Sequence, residues 1–100
     1  MSLHPKKLLT IVCESVARDA LVTLLRDCGA SGYTVSAVEG WGAQGSRFAD
    51  IPEDANIELK TIVGPLRAER ILERLGTDVM PRFATVVCVS EVHVLRGEKF

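Results

Sequence analysis

Aromatic residues are scarce in this chain: three Phe, one Tyr and one Trp in 100 residues. A core cannot be built on ring packing, so it must be aliphatic. The 47% hydrophobic fraction, rich in Val, Leu, Ile and Ala, supplies it, and the length is that of one domain, residues 1–100. Neither sign of charge is in excess, with 12 Lys and Arg against 13 Asp and Glu. That excludes wholesale binding of a phosphate backbone, which needs a strongly basic face, but not a few arginines around one anion. No apolar run approaches the ~20 residues of a membrane span. The opening MSLHPKKLLTIV has no cleavable signal pattern, and its apolar part reads as a strand. The three cysteines, Cys13, Cys28 and Cys88, are odd in number, lack zinc-ligand spacing and sit in apolar runs, so they read as core thiols. His4 and His93 have no ligand-like spacing to a cysteine or to each other, and no metal site is expected. A cytoplasmic protein is the expectation.

What is present is a regular alternation of elements. Leu8–Cys13 is a short β-branched apolar run, a buried strand. Ala17, Ala20, Leu21, Leu24, Leu25 and Cys28 then recur at the spacing of one helix face, with Ser15 placed to cap the start and Gly29 to end it. Tyr33–Glu39 alternates as a second strand, and Asn56–Val63 as a third with Ile57, Leu59, Thr61 and Val63 on one face. Pro65 suits a first helical turn. Ala68, Ile71, Leu72 and Leu75 mark the inner face of a second helix, which Gly76 should end. Phe83–Val89 is a fourth strand, and 91–95 a fifth strand or an extension. The order βαββαβ predicts an α+β, ferredoxin-like fold: an antiparallel sheet with both helices on one face. The other face, carrying Thr34, Val38 and Ile62, is too apolar for open water, which predicts a homo-oligomer that covers it.

Between the second and third strands, residues 40–55 show neither period. A loop this long in a compact domain is more often functional than incidental. It opens with GWGAQGSR, three glycines in six residues around the only tryptophan. Glycines let a backbone approach a ligand and turn N–H groups toward an anion. Trp41 offers a planar wall, Gln44 and Ser46 neutral hydrogen bonds, and Arg47 a bidentate grip on phosphate. A loop whose tryptophan packs on its own core accounts for the same residues. The spacing is neither a Walker motif nor GxGxxG. Asp50, Glu53 and Asp54 read as a solvated acidic stretch rather than a carboxylate pair. Nothing orients His93 toward Cys88 as a nucleophile pair.

The run GASGYTVSAVEGWGAQ resembles the second strand and loop entry of PII signal-transduction proteins, through Gly29, Gly32, Tyr33, Thr34, Val35, Gly40, Trp41, Gly42 and Gln44. The ending VLRGE is similar to that family's close, and the element order agrees over nearly the whole chain. The family's glycine-rich phosphate clasp after the second helix is replaced by GTDVMPRFATV, and the loop holds no tyrosine to modify. The continuation into GSR and ANI instead looks like the PII-like branch tied to inorganic carbon: the carboxysome-associated PII protein and the PII-like partner of a bicarbonate transporter.

The resemblance implies a homotrimer with adenine nucleotide in clefts between subunits. Thr34, Gly40, Trp41, Gly42, Gln44 and the adjoining Gly45 map to nucleotide-contacting positions, Ile62 beside the adenine, and Arg96 to a phosphate-side arginine. Ser46 and Arg47 map to the GSR segment of the carbon-linked members. With the clasp absent, ADP or AMP is expected over ATP, and bicarbonate is implied as a second ligand. The implied role is a non-enzymatic sensor whose loop meets a protein target in carbon uptake or the carboxysome. The alternative is a trimeric protein-interaction module without nucleotide, in which Trp41 anchors the partner.

Overall fold

The computed structural model describes residues 2–39 and 56–100. The element order is β1 (His4–Glu14), a 3₁₀ turn (Ser15–Ala17), α1 (Arg18–Asp27), β2 (Thr34–Ala37) and β3 (Asn56–Val63). Then come α2 (Pro65–Arg74), a π turn (Leu75–Val79), β4 (Thr85–Val94) and a closing 3₁₀ turn (Gly97–Lys99). The strands form one antiparallel sheet in the order β2-β3-β1-β4. This is the ferredoxin-like βαββαβ fold that the element order predicted.

Alternation decides which face each strand buries. Leu9, Ile11 and Cys13 of β1 and Ile57, Leu59, Thr61 and Val63 of β3 all point into the core. The helices meet them with Ala17, Leu21, Leu24, Leu25 and Cys28 on one side and Ala68, Ile71 and Leu75 on the other. Those are the positions that the helical spacing singled out. Thr61 is polar yet only 2% exposed. Its hydroxyl donates to the Gly32 carbonyl at 2.7 Å, which makes its burial tolerable and fastens the entry of β2 onto β3.

Gly29 ends α1 as expected. It has φ +84°, its N–H donates to the Arg26 carbonyl, and the Ala30 N–H donates to the Leu25 carbonyl. A Cβ there would also lie 3.2 Å from Nε of Arg67. Other local signals were overridden. Ser15 makes no side-chain cap; the chain enters α1 through a 3₁₀ turn closed by the Arg18 N–H on the Ser15 carbonyl. Gly76 does not stop the second helix, because the backbone widens into a π turn with the Met80 N–H on the Leu75 carbonyl at 2.8 Å. That winding keeps both Leu75 and Val79 buried.

β1 begins at His4, four residues earlier than its apolar run. Pairing with β3 ends at Lys7↔Val63, while pairing with β4 continues to His4↔Val94. Pro5 therefore sits where β1 has a neighbour on one side only, which is where a strand tolerates proline. Residues 91–94 extend β4 rather than forming a fifth strand. Cys88 is exposed, not a core thiol. Among the described residues, no helix is long and apolar enough to cross a membrane.

Candidate functional site

The side chains of even number on β1 and β3, with their register partners on β2 and β4, form the face opposite the helices. Leu8 pairs with Ile62 and Ser90, Thr10 with Lys60 and Cys88, and Thr34 with Lys60. Leu8, Thr10, Val12 and Ile62 are half-buried, and among the described residues no helix lies above them. At one end of this face lies a cavity of about 300 Å³, floored by Leu8 and Ile62 and bordered by Thr34 and Lys60. Gly32, Tyr33 and Thr61 complete the side where β2 begins, and Phe100 closes another. The Thr61–Gly32 hydrogen bond is thus part of what sets the cavity's shape. Its volume is at the low end for small-molecule sites and suits a flat apolar group, with polar extensions reaching outside.

Of the predicted site residues, Thr34 and Ile62 are brought together in this cavity, although 28 positions separate them in the sequence. Arg96 does not line it; its Nε lies 3.8 Å from a carboxylate oxygen of Glu98, both side chains largely exposed. Gly40, Trp41, Gly42, Gln44, Gly45, Ser46 and Arg47 lie outside the described residues, as do the acids 50–54. Leu8, Lys60 and Phe100 were missed. Strand alternation put Lys60 beside Ile62 on one face, but only register adds Leu8, and only the fold-back after β4 adds Phe100.

A larger depression, about 580 Å³, lies on the helical side between α1 and the π turn. Its central charges, Arg74 and Asp78, pair with each other. Arg74 donates to Asp78 at 3.0 Å and to Asp27 at 3.4 Å, and the Asp78 hydrogen bond is the main reason its guanidinium is held charged. The Thr77 hydroxyl first, and Arg74 second, hold the Asp78 carboxyl below the ordinary carboxylate range. Arg82 lies over the Phe83 ring, 4.9 Å from its centroid. This Arg74–Asp27–Asp78 cluster clasps the end of α1 to the π turn, a structural role, so size alone does not make the depression the site.

Two of the three thiols are shut away from solvent. Burial, and secondarily the charge of Glu14, push the Cys13 thiol up to about 11, and Cys28 is buried. Cys88 and His93 are five residues apart on β4, so alternation sends them to opposite faces. Among the described residues, no three His, Cys, Asp or Glu side chains are grouped to hold a metal ion.

A model of the family described as nitrogen regulatory protein P-II matches residues 6–99. Among solved structures, the chain is 44% identical to a PII-like signalling protein of Thermus thermophilus. That likeness covers 100% of this chain and 99% of the other, with a TM-score of 0.83. CPII of Thiomonas intermedia, a nitrogen regulatory PII-like protein solved with ADP, AMP and bicarbonate, is 27% identical. There the match covers 99% of this chain and 96% of CPII, with a TM-score of 0.85. A form of CPII bound to ADP and bicarbonate is 28% identical over 99% of this chain and 97% of that one, also at 0.85. With the family model matched from residue 6 to residue 99 and the sheet order in agreement, the chain belongs to the nitrogen regulatory protein P-II family.

Proposed function

We propose that this protein is a non-enzymatic, homotrimeric regulator that binds an adenine nucleotide at clefts between its subunits. ADP or AMP is preferred over ATP, because GTDVMPRFATV stands where the family's phosphate clasp would be. The observation that carries the reading is the cavity over Leu8 and Ile62, edged by Thr34, on a sheet face that the described helices leave uncovered. Its low volume suits a purine base, with ribose and phosphates extending toward Arg96 and the Gly40–Arg47 segment. Gly40, Gly42 and Gly45 let that backbone approach the ligand, Trp41 walls the cleft, Gln44 and Ser46 add hydrogen bonds, and Arg47 and Arg96 face phosphate. CPII, solved with ADP, AMP and bicarbonate, supports both the nucleotide and bicarbonate as a second ligand.

In this reading the 40–55 loop is the output. Nucleotide contacts change its order, and it then engages a cytoplasmic protein target in inorganic-carbon uptake or carboxysome function. The trimer accounts for the apolar open face, where Val86 is 57% exposed in the single chain. Titration calorimetry with ADP, AMP and ATP, each with and without bicarbonate, tests the proposal. Absence of binding by any adenine nucleotide would overturn it in favour of an interaction module. Trp41 is the single tryptophan, so its fluorescence should respond to nucleotide alone if the proposal holds.

A further inference from the structure

We infer that Phe100 is the nucleobase-stacking wall of the cavity, and that Gly97 is there to deliver it. The inference rests on the reading that a base occupies the cavity over Leu8 and Ile62. The chain leaves β4 at Val94 and turns at once. The Lys99 N–H donates to the Arg96 carbonyl and the Phe100 N–H to the Gly97 carbonyl, both at 3.1 Å. This single turn folds back against β1. Gly97 passes so close to His4 that a Cβ on it would lie 2.8 Å from the histidine Cβ and 2.6 Å from its Cγ. Such distances are not tolerated, and the atoms met belong to the root of the histidine side chain, which cannot swing away. Only glycine permits this approach. The Phe100 carbonyl then settles beside Gly64, in ordinary contact range of a Cβ placed there, and Phe100 lines the cavity with Ile62 and Thr34.

Aromatic residues number five in the whole chain. The sheet floor under the cavity is aliphatic, so it gives a base apolar contact without a π face. Phe100, which also lines the cavity, provides that face, whereas the Tyr33 side chain packs against the core. Arg96, at the start of the same turn, is the arginine assigned to the phosphate side. One short turn thus carries a residue for each end of the nucleotide, and its placement depends on the Gly97–His4 approach.

The test is ADP affinity, measured by calorimetry on the full chain, together with thermal stability of the ligand-free protein. Phe100→Ala should weaken ADP roughly 5- to 150-fold, the range for loss of one base–aromatic stack. Phe100→Trp should restore wild-type affinity or better. Phe100→Leu should stay weakened, because it keeps the apolar volume and loses the π face. Gly97→Ala should weaken ADP through displacement of the turn, and the loss in the double variant should be smaller than the sum of the two single losses, since both remove the Phe100 contact. Equal binding by Phe100→Leu and wild type would overturn the inference, as would binding losses that track thermal destabilisation and follow side-chain volume. If wild type itself binds no adenine nucleotide, the functional proposal fails. If wild type binds and Phe100→Ala binds as well, only the role of Phe100 fails.

Discussion

The two faces of the sheet are built from the same strands and have opposite fates. On the helical face, Leu9, Ile11 and Leu59 are fully buried by the chain's own helices. On the open face, their immediate neighbours Leu8, Thr10 and Val12 are half-buried, and Val86 and Cys88 are exposed. Alternation alone divides these residues, so the difference is one of partners rather than of intrinsic character. The helical face holds the fold together. The open face carries apolar surface that the described helices leave uncovered, and the candidate cavity lies there.

The sharpest break of this comparison is Leu59→Ala. It empties a fully enclosed position and should cost about 2–5 kcal/mol, read as a fall in the chemical-denaturation midpoint. Val86→Asp should leave the folded subunit within about 0.5 kcal/mol, because the side chain is exposed there. It should nonetheless dissociate the proposed trimer, measured by sedimentation velocity; an unchanged assembly would mean that another surface joins the subunits. Thr61→Val should be milder than Leu59→Ala, about 0.5–1.5 kcal/mol for the lost hydrogen bond to Gly32. It should weaken nucleotide as well as stability, because the same bond shapes the cavity border.

The smallest effect belongs to the exposed Lys7–Glu91 pair, joined at 2.7 Å. The hydrogen bond from Lys7, and then its charge, hold the Glu91 carboxyl below the ordinary carboxylate range. A lowered carboxylate pKa contributes stability while ionised, so the contribution is present at neutral pH. It fades as pH falls from about 5 through the lowered value. The difference in melting temperature between wild type and Glu91→Gln should accordingly be slight at pH 7, shrink toward zero in acid and shrink further in salt.

Much of the fold was legible because its signals are local and repeated. The helix faces Ala17–Cys28 and Ala68–Leu75 and the alternation of 57–63 each rest on several residues that agree. Single-residue signals fared unevenly. Gly29 ended its helix because a positive φ was needed there. Gly76 did not end the second, because burying Val79 requires the chain to keep winding. Ser15 lost its capping role to a backbone bond. Cys88 sits in an apolar run, yet register with Thr10 sends it to the open face.

The sequence by itself determined the order of elements, most of the residues that form the core and, by resemblance, the family. Each of these depends on spacing along the chain, which the sequence states directly. The tertiary structure alone decided that Thr34 and Ile62 share a cavity with Leu8 and Phe100. Strand register and a fold-back of 97–100 bring these residues together, and both arise from contacts between segments far apart in sequence.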